Sequence, residues 1–211
     1  MIPTKEAWIK ALNERHGTKM QEKISSATVC ICGLGGLGSG IAIALARMGI
    51  GKLILIDFDK VDITNLHRQQ YKANQIGMHK TEALKENLKE INPYLKMEIH
   101  TIRLDENNAK DILSGADIIC EAFDNAEVKA ELVNFVLSEM PEKYIVCASG
   151  MAGINSANLV KTRKISKRFY LCGDEMSDVE DGIGLISSRV MLCAAHQAHM
   201  VLRIILNEFE V

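Results

Sequence analysis

Residues 27–40 read ATVCICGLGGLGSG. Their reading decides the fold. The first seven residues are small or apolar without alternation, the pattern of a parallel strand covered on both faces. Gly33, Gly35 and Gly38 then satisfy G-x-G-x-x-G and open an Ala/Leu/Ile-rich helical stretch over 37–49. Glycines at these positions let the chain turn sharply and bring its backbone against a phosphate group, whose charge is met by the helix N-terminus. Asp57 closes the next apolar run, KLILID (52–57), where such folds place an acid for a ribose. Strand, loop, helix and strand together predict a nucleotide-binding unit. They do not say which nucleotide, or what happens to it.

Further along, ADIICEAF (116–123) and KYIVCASG (143–150) are again continuous apolar runs, while MEIHTIRL (97–104) alternates and belongs nearer a sheet edge. Helix-length segments at 77–91 and 126–140 lie between them. The alternation predicts an α/β, Rossmann-like doubly wound, mostly parallel sheet over about 27–150. An amphipathic N-terminal helix is expected over about 4–26, its Trp8, Ile9, Leu12, Met20 and Ile24 packing outside the sheet or against a partner. ANLVKTRKISKRFYL (157–171) alternates with a basic centre and predicts an antiparallel ribbon, followed by a terminal helix over about 184–209. With no repeat, linker or low-complexity tract, residues 1–211 read as one domain.

The bulk numbers narrow the function. A net charge of −2 gives no basic field for nucleic acid or an anionic membrane. No signal-peptide-length apolar run opens the chain and no long uncharged one follows, so a cytoplasmic protein without a membrane partner is expected. The six cysteines form no CxxC pair, and most sit in apolar runs, as buried thiols do.

DFDKVDITNLHRQQ (57–70) goes beyond what a dinucleotide site needs. Hydride transfer has no use for Arg68 and Lys80 close to bound phosphates. Departure of a pyrophosphate does, because negative charge must then be neutralised. At this point the motifs carry a resemblance. GLGGLGS, DFDKVDITNLHRQ, a lysine about twelve residues on and FDN after the fourth strand resemble the ThiF/MoeB/ubiquitin-activating superfamily, along nearly the whole chain. NLHRQQY, GMHKTEALKENLKEINPY, ASGMAG and YLCGD are most similar to the short ThiF-like proteins of thiamine biosynthesis.

The resemblance implies an ATP- and Mg²⁺-dependent adenylyltransferase acting on the terminal glycine of a small ubiquitin-like carrier ending in Gly-Gly. It places Gly33, Gly35, Gly36 and Gly38 against the nucleotide and Asp57 on the ribose. Asn65, Arg68 and Lys80 reach the triphosphate, and Asp124, with Asn125 beside it, binds Mg²⁺ at the strand end. The bland reading of Asp124-Asn125 is a helix N-cap. Arg15, in NERHGTKMQEKI, aligns with an arginine that enters the neighbour's site across a homodimer; otherwise it is a solvated helix charge.

Where the family's zinc-bearing members have two CxxC pairs this chain has only Cys172 and Cys193, so no zinc is expected. MSDVEDGIG (176–184) lacks the cysteine that some relatives use as a sulfur-accepting nucleophile. Cys172 is the nearest substitute, or a buried strand-end thiol. Cys193, His196 and His199 read as packing or an interface rather than a metal site. The basic run 161–168 either steers an acidic carrier or faces solvent. Three rivals stand: an NAD-dependent oxidoreductase, a non-catalytic carrier-binding protein, and a family relative acting in molybdopterin or tRNA-modification pathways.

Overall fold

The computed structural model describes residues 2–179 and 182–211. Seven strands form one sheet in the order β3-β2-β1-β4-β5-β7-β6. They are β1 (Thr28–Cys32), β2 (Lys52–Ile56), β3 (Lys96–His100), β4 (Ile118–Glu121), β5 (Tyr144–Ala148), β6 (Lys161–Lys164) and β7 (Phe169–Gly173). All neighbours are parallel except β6 and β7. The chain runs outward from β1 to β3 and then returns to place β4 on the other side of β1. Between the ends of β1 and β4 the connections diverge, and open α/β sheets bind their ligands in that crevice.

The continuous apolar runs follow from burial on both faces. Along β1, Val29 and Ile31 join one core cluster while Cys30 and Cys32 join the other; along β2, Leu53 and Leu55 oppose Ile54 and Ile56. Helices α3 (Gly36–Met48), α4 (Lys80–Ile91) and α7 (Ser187–Ile205) contribute to the first cluster. Helices α5 (Ala109–Ser114) and α6 (Ala126–Glu139) cover the second. β3, which alternates, is one of the two edge strands, with no residue fully buried.

Three expectations need correction. The N-terminal helix is two helices, α1 (Lys5–His16) and α2 (Thr18–Ser26), because Gly17 takes φ +83° and its N–H closes on the Asn13 carbonyl. α1 buries no residue, whereas α2 buries Gln21 and Ile24. The predicted ribbon is continuous with the main sheet: β7 pairs parallel with β5, so of the ribbon's two strands β6 alone lies at an edge. Finally, the terminal helix is shorter at both ends than 184–209. The short α5 has too few apolar positions for a helical period to show.

Gly38 marks the closest approach of α3 to the strand before it, since a Cβ there would lie 1.8 Å from the Gly33 carbonyl oxygen. The loop and helix can adopt this geometry only with hydrogen at that position. We expect Gly38→Ala to lower unfolding free energy by about 3 kcal/mol, the upper range for an overpacked site, measured as a shifted urea midpoint with unchanged m-value.

Candidate nucleotide site

The crevice at the strand ends has a volume of about 840 Å³. Its back wall is the glycine loop. Gly33 takes φ +92°, and a Cβ there would strike the Ala122 carbonyl at 2.8 Å. Gly35 caps α3 without a side chain, and a Cβ there would meet only Gln69 Nε2, at 3.7 Å, so bare backbone faces the crevice at the helix N-terminus. Gly33, Gly35 and Gly36 line the crevice. Gly38, expected against the nucleotide, does not; it sits behind the loop for the packing reason above.

The stretch 57–71 builds the rest of this wall. Asp57, 7% exposed, accepts the Leu34 amide at 2.7 Å on Oδ2 and the Asp59 amide at 2.7 Å on Oδ1. The Tyr71 hydroxyl donates to the Leu34 carbonyl at 2.7 Å. Leu34's peptide groups are thus gripped from both sides. Burial pushes the Asp57 carboxyl up, although Lys80 and the two amides oppose it. Asn65 does not line the crevice itself; its Oδ1 accepts Arg68 Nη2 at 3.1 Å and so orients the guanidinium that does.

Lys80 opens α4, as expected, and is 6% exposed. Its ammonium lies 2.7 Å from Asp59 Oδ2 and 3.8 Å from Asp57 Oδ2. Backbone bonds from Val61 to Met78 and from Lys80 to Asp59 zip residues 59–61 to 77–80 and hold it there. Asp59 was missed by sequence reasoning, though it lies two residues from Asp57 in DFD.

Across the crevice, Asn125 is the N-cap of α6, its Oδ1 accepting the Glu127 and Val128 amides at 2.9 and 3.0 Å. That leaves Asp124 exposed at the crevice wall, with no hydrogen-bond or ion-pair partner among the described residues. No three His, Cys, Asp or Glu side chains gather into a metal site among the described residues. One free carboxylate beside a phosphate-sized cradle suits Mg²⁺, which takes one or two carboxylates and fills its shell with phosphate oxygens and water. The crevice thus fits a magnesium nucleotide. Gln69 lines it too, with its amide oxygen buried and unpartnered.

Arg15 lies elsewhere. α1 leans on the far end of α3, where a Cβ at Gly49 would come within 2.6 Å of Leu12 Cδ1 and Gln21 donates to the Gly49 carbonyl. The 13 residues of α3 span about 20 Å, so exposed Arg15 does not reach the crevice of its own chain. The cysteines do not reach it either: all six are free and buried. Burial pushes the Cys172 thiol up to about 11, only partly offset by Thr162. His196 shares a hydrogen bond with Thr162 rather than with Cys193 or His199. MSDVEDGIG falls partly outside the described residues. No helix of the described residues is long and apolar enough to cross a membrane.

The second wall is set by a buried ion pair that sequence reasoning also missed. Arg189, in the first turn of α7, donates to Asp174 Oδ2 at 2.5 Å and to the Asn155 and Ser156 carbonyls. Asp174 in turn accepts the Met176 and Ser177 amides and the Ser177 hydroxyl. Residues on both flanking loops, Gly150 to Ala152 and Glu175 to Val179, line the crevice.

A doubly wound sheet with a glycine loop, several cations (Arg68, Lys80, Arg103 and Lys129) and a free acid at its switch point defines a nucleotide-binding α/β protein. The ThiF family pattern matches residues 10–211, and the chain belongs to that family. It is 33% identical over 147 residues to the tRNA threonylcarbamoyladenosine dehydratase of Haemophilus influenzae, covering 69% of this chain and 56% of that protein. It is 30% identical over 196 residues to the adenylyltransferase and sulfurtransferase UBA4 of Lodderomyces elongisporus, covering 90% of this chain and 42% of that protein. To the molybdopterin-synthase adenylyltransferase of H. influenzae it is 38% identical over 113 residues, covering 53% and 46%. The matches span less than two thirds of each relative. The fold is similar to that of E. coli tRNA N6-threonylcarbamoyladenosine dehydratase crystallised with ATP, at TM-score 0.86 and 22% identity over 98% of both chains.

Burial works against the charged form of Asp174, but Ser177, the Met176 amide and Arg189 outweigh it and hold its carboxyl at about 2. A depressed carboxyl contributes stability in full above its unfolded value of about 4 and loses it as pH falls toward the folded one. The stability gap between wild type and Asp174→Asn, measured by urea unfolding, is therefore expected to be constant above pH ~5 and to shrink between pH ~4 and ~2.

Proposed function

We propose that the chain adenylates the terminal glycine carboxylate of a small ubiquitin-like sulfur carrier, using ATP and Mg²⁺. The observation that carries this is the convergence of Arg68, Lys80 and unpaired Asp124 on a crevice backed by bare glycine-loop backbone. In the proposed reaction a carrier carboxylate oxygen attacks the α-phosphorus, its bond forms as the bond to pyrophosphate breaks, and an acyl-adenylate results. No general base is needed, because the carboxylate is ionised at neutral pH. The chain's task is positioning and charge stabilisation. Arg68, fixed by Asn65, and Lys80 meet the departing pyrophosphate; Asp57 accepts from the ribose. Mg²⁺, held by Asp124, would neutralise phosphate charge.

Arg15 enters as a residue of a second copy, so a homodimer belongs to this reading. The YLCGD and NLHRQQY motifs support a ThiS-like carrier and thiamine biosynthesis as the finer assignment. With every thiol buried, the reading ends at the acyl-adenylate, and any sulfur must come from outside the chain. A second reading, activation of a carboxylate on a modified tRNA, is favoured by the similarity to the two dehydratases. The nicotinamide reading leaves Arg68 and Lys80 without a task.

Exchange of labelled pyrophosphate into ATP tests the choice. We expect exchange only with a carrier ending in Gly-Gly, and a fall of about 10²–10³-fold in Asp124→Ala and Arg68→Ala, as for other lost transition-state charge contacts. Exchange that ignores the carrier but requires the modified tRNA would replace this reading with the second. Tight nucleotide binding with no exchange in either case would end both.

A further inference from the structure

Beneath the loop that carries Asp124 lies an ion pair that the nucleotide reading does not use. Glu121, the last residue of β4, is wholly buried, and its carboxylate meets the Lys129 ammonium at 2.8 Å on Oε1 and 2.6 Å on Oε2. Lys129, on α6, also donates to the Ala148 carbonyl at the end of β5, at 3.0 Å. The ammonium has three protons and three acceptors, so none is left for a phosphate. It lines the crevice but is committed elsewhere. Lys80, held by two acids, and Arg68, held by a neutral amide, are not saturated in this way.

The pair closes a ring. Glu121 Oε1 also accepts the Phe123 amide at 2.7 Å, at the start of the loop, while Lys129 sits one turn past the Asn125 cap at its end. Residues 122–125 are therefore held at both sides, with Asp124 at the apex. Gln197 of α7 adds a third tie, donating to the carbonyls of Glu121 and Val146. Burial drives the Glu121 carboxyl up, and Lys129 is the first group opposing it; a Glu121 without Lys129 would be a buried anion seeking another cation.

We propose that Glu121 and Lys129 are positioning residues: they fix the Asp124 carboxylate toward the metal and keep the Glu121 charge from competing for it. This rests on the reading of Asp124 as the magnesium-binding acid. It assigns Lys129 no contact with substrate, although a cation on the crevice wall would ordinarily be taken for a phosphate ligand.

Two measurements test it. The first is hydrogen exchange on the protein alone, without metal or nucleotide. Lys129→Met is expected to lose protection at the amides of Ala122 and Phe123, which bond to the Cys32 carbonyl and Glu121 Oε1, while the rest of β1 and α7 keep theirs; Lys129→Arg, which preserves the pair, should not. Unchanged exchange at these two amides would overturn the positioning role whatever the protein's activity. The second is the Mg²⁺ dependence of ATP binding by calorimetry. Lys129→Met should raise the Mg²⁺ requirement about tenfold, the lower range for partners of a metal ligand, with metal-free ATP affinity unchanged. Adding Glu121→Gln should recover most of that loss. Weaker metal-free ATP binding in Lys129→Met, not rescued by Glu121→Gln, would make Lys129 a phosphate ligand and sink the proposal. Wild-type binding indifferent to Mg²⁺ and to Asp124→Ala would instead remove the magnesium assignment, while the exchange result still decides the loop.

Discussion

Everything in the crevice depends on the grip on Leu34. Its amide is held by Asp57 and its carbonyl by Tyr71, so both peptide groups flanking Leu34, between β1 and α3, are held in place. Gly33 and Gly35 on either side take backbone conformations that suit this fixed unit, and α3 begins from it. The cost is that Asp57 must be buried, each of its oxygens accepting one amide and keeping a lone pair for a further donor. Lys80 offsets that cost from 3.8 Å. One carboxylate therefore shapes the loop, faces the crevice and orients a cation.

The cations are not equivalent. Lys80 lies between two carboxylates and keeps only part of its field for a ligand, while Lys129 is spent on Glu121. Arg68 is braced by the neutral Asn65 and keeps its full charge. A charge entering beside the glycine loop is met mainly by Arg68 and the α3 N-terminus. Arg103, on the crevice lining, is a further cation of the same chain, whereas Arg15 is too far away on that chain to add to them.

The sequence carried the features set by local pattern. Strand runs such as KLILI, buried on both faces, the glycine loop before α3, and Lys80 at a helix start follow from spacing and residue type alone. The division between Asn125 as cap and Asp124 as free acid was open in the sequence and closed by two backbone bonds. What stayed hidden were pairs set by how a helix packs back against the strand before it. Glu121 and Lys129, only eight residues apart, look like an ordinary charge at a strand end and another on a helix face until α6 is folded back against β4. Asp174 and Arg189 meet because the first turn of α7 returns to the end of β7. Gly17 could equally sit inside a long helix or break it, and nothing near it in the chain decides which.

The most direct test of the central claim is the intact mass of a Gly-Gly carrier after incubation with this protein, ATP and Mg²⁺. Adenylation predicts a carrier heavier by one adenylyl group at its terminal glycine, discharged by hydroxylamine and absent with Asp124→Ala. A carrier of unchanged mass, under conditions where the protein binds ATP and the carrier together, would contradict it.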